Sequence, residues 1–265
     1  MQNKLEIISK LILASLFILT FTNFITYADY NEAKVVQHLG KKLPLDLRFV
    51  NSNGDTVLLK DLVDKPTVID FCYYRCTGIC TPLMTEISAV IGKVNYEPGS
   101  DYDVISISID QNETPEMAAQ KRNAMVGLIN REIPDSAWMF LTGDSTNIYK
   151  LTDVAGFHFK RSYGGFLHKG VLIFIDKDGK IVQYLSPGYT KKGDFKILPS
   201  EFEVAVKNAN ASKVSSTIAK ILKTCYTFIP KGKDFWVLML VLATGLITII
   251  TVVFIMKKVK PKRSV

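Results

Sequence analysis

Reactive side chains are scarce in this sequence. Its 265 residues include only four cysteines and three histidines. Four cysteines are too few for a fold stapled by disulfides at this size. No basic stripe is interleaved with aromatics, so nucleic-acid binding finds no support. The formal net charge is +8, but Lys257, Lys258, Lys260, Lys262 and Arg263 crowd into the tail. The remaining lysines are scattered and balanced by acids. Internal repeats and low-complexity linkers are also missing.

Charge is absent from two long runs. The first, from Leu11 to about Tyr27, follows Lys4 and Lys10 and ends in Thr-Tyr-Ala. Residues 1–28 are therefore expected to be a secretory signal cleaved after Ala28, or an uncleaved N-terminal anchor. The second, FWVLMLVLATGLITIITVVFIM over residues 235–256, is long enough to span a bilayer as one helix. The basic residues that follow predict a cytoplasmic tail over 257–265. Residues 29–225 then form one exported, membrane-tethered domain, large enough for its own core.

Within that domain strands and helices alternate. Strands are expected over Thr56–Leu62, Thr67–Tyr74, Asp103–Ile109, Ala137–Leu141 and Gly170–Ile175. Helices are expected from Thr81 to about Val94 and from Pro115 to about Asn130, the latter with Thr114 as N-cap. Ser145–Val154 is a further helix, and Phe195–Ile229 reads as largely helical. Lys177-Asp178-Gly179 turns the Gly170 strand back into Lys180–Leu185 as a hairpin. The pattern implies an α/β fold, a central sheet with helices on both faces, plus one C-terminal transmembrane helix. Thioredoxin-like topology fits, although periodicity alone also allows other three-layer folds.

The cysteines fall in FCYYRCTGICTPLM. Cys76 and Cys80 are spaced i, i+4 around the expected start of a helix, with Cys72 upstream. A disulfide closing so short a loop gains little chain entropy, so a purely structural role is weak. A helix N-terminus favours the thiolate, which is both nucleophile and metal ligand. Two thiolates suit Cu(I) or zinc, and either ion wants a further ligand. Of the histidines, His38 precedes the fold and is expected at the surface, while His158 is a polar position beside a strand. His168, on the glycine-containing loop before the Gly170 strand, is expected to pack beside the cysteine helix start.

CTGIC, then SISIDQNETP, WMFLTGD and LHKGVLIFIDKDGKIV, together resemble the Sco (SenC) family of copper-binding cytochrome c oxidase assembly proteins. The resemblance covers essentially the whole exported domain. The opening HLGKKLPLDLRFVNSNGDTVLLKDL and the TCYTFIP segment resemble a bacterial branch of that family. It implies a thioredoxin-like fold with Cys76, Cys80 and His168 as copper ligands. It also implies cytochrome c oxidase subunit II as partner and a bacterial inner membrane location, the domain on the periplasmic side. The chain departs from the family in having Thr77 where proline is common and Leu167 where an acid often precedes the histidine. Cys72 lies outside the copper motif and is expected as a buried strand thiol, and Cys225 as a packing residue near the membrane.

A metal-independent thiol-disulfide oxidoreductase is the alternative, with Cys76 and Cys80 as the redox pair. Asp70 lies six residues before Cys76, where thioredoxins carry a buried acid; a solvent-facing or salt-bridged strand residue is the other reading. Against the alternative stand the CxxxC spacing and the absence of proline between Tyr163 and Val171. Asp110 and Glu113 are read as structural first and as supports of the site second. A Cys–His hydrolase would leave the second thiol unexplained.

Overall fold

The computed structural model describes residues 33–76, 78–190 and 193–215. The apolar run TVIDFC forms β3 (Thr67–Cys72), buried at every position. Alternate side chains of a strand face opposite sides, so a strand covered on both faces is apolar throughout. Val68 and Cys72 enter one core cluster and Ile69 and Phe71 the other. The same division holds in β4 (Asp103–Ser108), β5 (Trp138–Thr142) and β8 (Leu172–Ile175).

These strands sit in a seven-stranded sheet of order β2-β1-β5-β4-β3-β8-β9. β1 is Arg48–Asn51, β2 Thr56–Leu58 and β9 Ile181–Leu185. β3, β4 and β5 run parallel, and β8 returns antiparallel along β3 with Asp70 opposite Leu172. One face is covered by α2 (Cys80–Ile91), α3 (Pro115–Val126) and α5 (Pro199–Asn210), through Leu83, Met84, Ala118, Phe202 and Val206. The other face is covered by α1 (Leu59–Leu62) and α4 (Ser145–Val154), through Leu59, Ile148 and Leu151. The α/β sheet with helices on both faces is thus present. Thr114 caps α3 by accepting from Met117 N at 3.4 Å, with Pro115 at the first helical position.

Two sequence expectations change, and small hairpins are added. Thr56–Leu62 is not one strand: it bends into α1 after Leu58, because Leu59 N and Lys60 N donate back to Leu47 O and Leu45 O. The hairpin of β1 and β2 was not anticipated, and Asn51 holds its turn by accepting from Asn53 N and Asp55 N, both at 2.9 Å. Of the Phe195–Ile229 helix, the described residues 195–215 are helical over Pro199–Asn210, and residues 216–229 lie outside the described residues. Phe195–Lys196 forms β11 against β10 (Gly188–Tyr189), and α5 is followed by Ser212 in the left-handed region at φ 48°. A second small hairpin, β6 (Lys160–Ser162) with β7 (Gly165–Leu167), is also new.

Among the described residues no helix is long and apolar enough to cross a membrane. Residues 1–28, the run 235–256, the tail 257–265, Cys225 and Thr77 lie outside the described residues.

Phe202 anchors α5, with its ring edge-on to Tyr102 at 5.4 Å and Phe174 at 5.2 Å. Phe202→Ala is expected to cost about 3–5 kcal/mol, read from the denaturant midpoint. A loss under about 1 kcal/mol would show that α5 contributes little to this core.

Candidate metal centre

The centre is built where the chain leaves β3 and where it approaches β8. Cys80 is the first residue of α2. Cys76 lies in the preceding loop, its amide donating to Tyr73 O at 3.1 Å. The Cys80 amide points at Cys76 Sγ across 3.4 Å. The helix N-terminus therefore acts on Cys76, one turn back, more than on Cys80 itself. His168 arrives from the other side, between β7 and β8, with Nε2 3.0 Å from Cys80 Sγ.

One potential ligand atom from each of Cys76, Cys80 and His168 lies within 4.8 Å of the other two, so one ion could reach all three. All three residues are buried, and the cysteines are free thiols. His168 Nδ1 is 3.2 Å from Lys169 O. A carbonyl can only accept, so that contact puts the proton on Nδ1 and leaves the Nε2 lone pair facing Cys80. Where the sequence lacks an acid at Leu167, this main-chain carbonyl fixes the ring. Phe157 and Tyr73 flank it, each with ring centroids 5.9 Å away.

The two thiols are electrostatically unlike. The hydrogen bond from Cys80 is the largest influence holding Cys76 down to about 3, against the opposing effect of burial. Hydrogen bonds from the Cys80 amide and Tyr73 add to it. Cys80 is pushed up by that same bond and by burial. The pair thus holds one thiolate, on Cys76, and one proton, on Cys80. Two soft sulfurs and one imidazole of fixed tautomer fit a thiophilic ion such as Cu(I) or Zn(II).

Sequence reasoning missed Tyr73. Its hydroxyl bonds Cys76, and burial together with that bond raises the phenol to about 12. Gly165 of β7 lies against the same hydroxyl, since a Cβ there would stand 2.6 Å from it. Nothing in the sequence marks this tyrosine, because Gly165, Phe166 and His168, which hold its ring against the centre, come from a distant segment. Glu113 takes a definite role: its carboxylate accepts from Tyr74 N at 2.7 Å, Arg75 N at 2.8 Å and Ser108 Oγ at 2.7 Å. It thereby fixes the loop just before Cys76, while Arg75 is ion-paired with Asp110. A cleft of about 600 Å³ opens beside Cys76, lined also by Arg75, Asn112, Arg161 and Phe166.

The other candidates stay apart. Cys72 is buried in β3, its thiol 3.8 Å from Ile107 O, and burial pushes it well up. His38 is half-buried, with Nδ1 2.9 Å from Val154 O, which replaces the expected surface position. The His158 amide donates to Lys34 O at 2.9 Å, beside β6. Asp70 is neither solvent-facing nor salt-bridged among the described residues. It is fully buried: Oδ2 accepts from Ser106 Oγ at 3.4 Å and Oδ1 has no partner.

Burial, the largest influence, lifts the Asp70 carboxyl to about 7. A folded state that keeps its proton longer than the unfolded chain is most stable below the unfolded value and loses that stability as pH rises. Asp70→Asn should therefore match wild type near pH 4 and exceed it increasingly up to pH 7, by on the order of 4 kcal/mol. Thermal unfolding across this range checks it, and a pH-independent difference would refute it.

Residues 37–197 match the model of the family described as SCO1/SenC. Among solved structures, a candidate electron transfer protein from Aquifex aeolicus VF5 is 26% identical with a TM-score of 0.55, covering 65% of this chain and 95% of its own. BsSco, described as a member of the Sco family of cytochrome c oxidase assembly proteins, is 20% identical with a TM-score of 0.50, covering 67% and 99%. Arabidopsis thaliana ScoI with copper bound is 19% identical with a TM-score of 0.48, covering 64% and 96%. The search of curated proteins gives no match. With more than half of its length matched, and a buried Cys-Cys-His group in its folded domain, the chain belongs to the SCO1/SenC family.

Proposed function

We propose that the chain is a membrane-tethered copper metallochaperone. It holds one copper ion through Cys76, Cys80 and His168 for assembly of the copper site of cytochrome c oxidase, with subunit II as recipient. The meeting of these three donors carries the reading. Three ligands leave copper under-coordinated, so a partner with similar donors can complete the sphere and take the ion. Membership of a family whose member BsSco is described among cytochrome c oxidase assembly proteins supplies the pathway.

The tether and location rest on sequence. The uncharged run 235–256 and its basic flank favour a helix across a bacterial inner membrane with the tail in the cytoplasm. The signal or anchor over 1–28 puts the domain on the exported side.

A thiol-disulfide reductase reading is favoured by one observation: the first amide of α2, on Cys80, points at Cys76 Sγ across 3.4 Å, which favours the thiolate on Cys76 beside the second thiol. Such a pair can attack a disulfide and then resolve the mixed intermediate. The same asymmetry would couple copper loading to redox state, since oxidation removes both sulfur ligands.

Anaerobic Cu(I) titration of the reduced full-length chain against a competing chelator should show one copper per chain. Cys76→Ser and His168→Ala should each weaken binding by at least about tenfold, and the oxidised chain should take up none. Affinity unchanged by His168→Ala would overturn the metallochaperone reading. The reductase reading would then lead, tested by the reduction potential of the Cys76–Cys80 pair.

A further inference from the structure

The β6–β7 hairpin overhangs the cleft beside Cys76, and its charge is one-sided. From Val154 to Ile175 the chain carries Lys160, Arg161 and Lys169 and no acidic residue. All three cations are exposed, and no acid among the described residues pairs with them. The Arg161 guanidinium stands over the Phe166 ring, 5.3 Å from its centroid, and lines the cleft. The other cleft cation, Arg75, is paired with both Asp110, which also lines the cleft, and the buried Glu113, so that trio adds no positive charge. Tyr163 at the hairpin tip is fully exposed, and Leu167 is exposed as well. The hairpin is not a loose flap, because Gly165 rests against the Tyr73 hydroxyl beside the centre.

We propose that this hairpin and cleft are the docking surface for the protein that exchanges thiols or metal with Cys76, and that this partner presents an acidic segment around its own cysteines. The proposal rests on the reading of Cys76 as an exchanging ligand and adds the chemistry of its partner. Arg161 in the cleft, with Lys160 next to it in β6, attracts and orients an acidic chain. Aromatic side chains and an arginine supply the contact area typical of interface anchors. A protein segment fits better than an anionic lipid surface. The cleft is concave and runs in to Cys76, which a flat headgroup layer cannot follow.

The test needs no metal. Two peptides carry the same single cysteine, activated as a mixed disulfide with thionitrobenzoate. Four glutamates flank the cysteine in one peptide and four glutamines in the other. The Cys76 thiolate attacks the peptide sulfur, a Cys76–peptide disulfide forms, and thionitrobenzoate leaves with the electron pair of the broken bond. Its release is timed with the reduced full-length chain in a Cys225→Ser background.

The acidic peptide should react about tenfold faster at low ionic strength, with the advantage collapsing as salt rises. Lys160→Gln combined with Arg161→Gln should cut the ratio to under about twofold. Lys60→Gln combined with Lys207→Gln, which removes the same charge outside the cleft, should keep it. Equal rates for the two peptides, or equal effects of both double variants, would overturn the proposal. So would a Lys160→Gln, Arg161→Gln variant that keeps the full peptide ratio, since the hairpin cations would then not be what reads the acidic segment. A failed copper titration leaves these rates interpretable, so the two readings fail separately.

Discussion

The antiparallel pairing of β3 with β8 is the constraint on which the centre depends. Asp70 stands opposite Leu172, so the chain leaving β3 and the chain approaching β8 pass side by side at one end of the sheet. The first brings Cys76 and Cys80, the second His168, 88 residues beyond Cys80. Both strands are buried on both faces, so a one-residue slip would turn every side chain to the wrong face. The core on each side fixes the register, and the register fixes the donors.

Burial then gives the donors their character. The Cys80 thiol, the Cys80 amide and the Tyr73 hydroxyl all direct hydrogen bonds at one sulfur. A thiolate enclosed by donors is stable where an isolated buried charge would not be. Glu113 supports this from behind, joining the two amides before Cys76 to the end of β4. Cys72 shows the converse: its thiol meets a carbonyl, Ile107 O, and burial keeps it protonated.

Much of this was legible in the chain. The buried strands announced themselves as apolar runs, α3 through its Thr114 cap and Pro115, and the cysteine pair through its position after β3. The short elements were not. β2 passes into α1 because main-chain bonds to Leu45 and Leu47 capture it, and such partners leave no local pattern. The β6–β7 hairpin carries too few apolar residues to alternate visibly, yet it covers the cleft.

The sequence by itself determined the class of fold, the family resemblance and the three residues able to act as soft donors, because periodicity, caps and residue chemistry are local properties. Only the tertiary structure decided that those donors meet, that Tyr73 and Lys169 O complete their surroundings, and that Asp70 is buried with an unpaired oxygen. These depend on contacts between segments far apart in the chain, and strand register sets them.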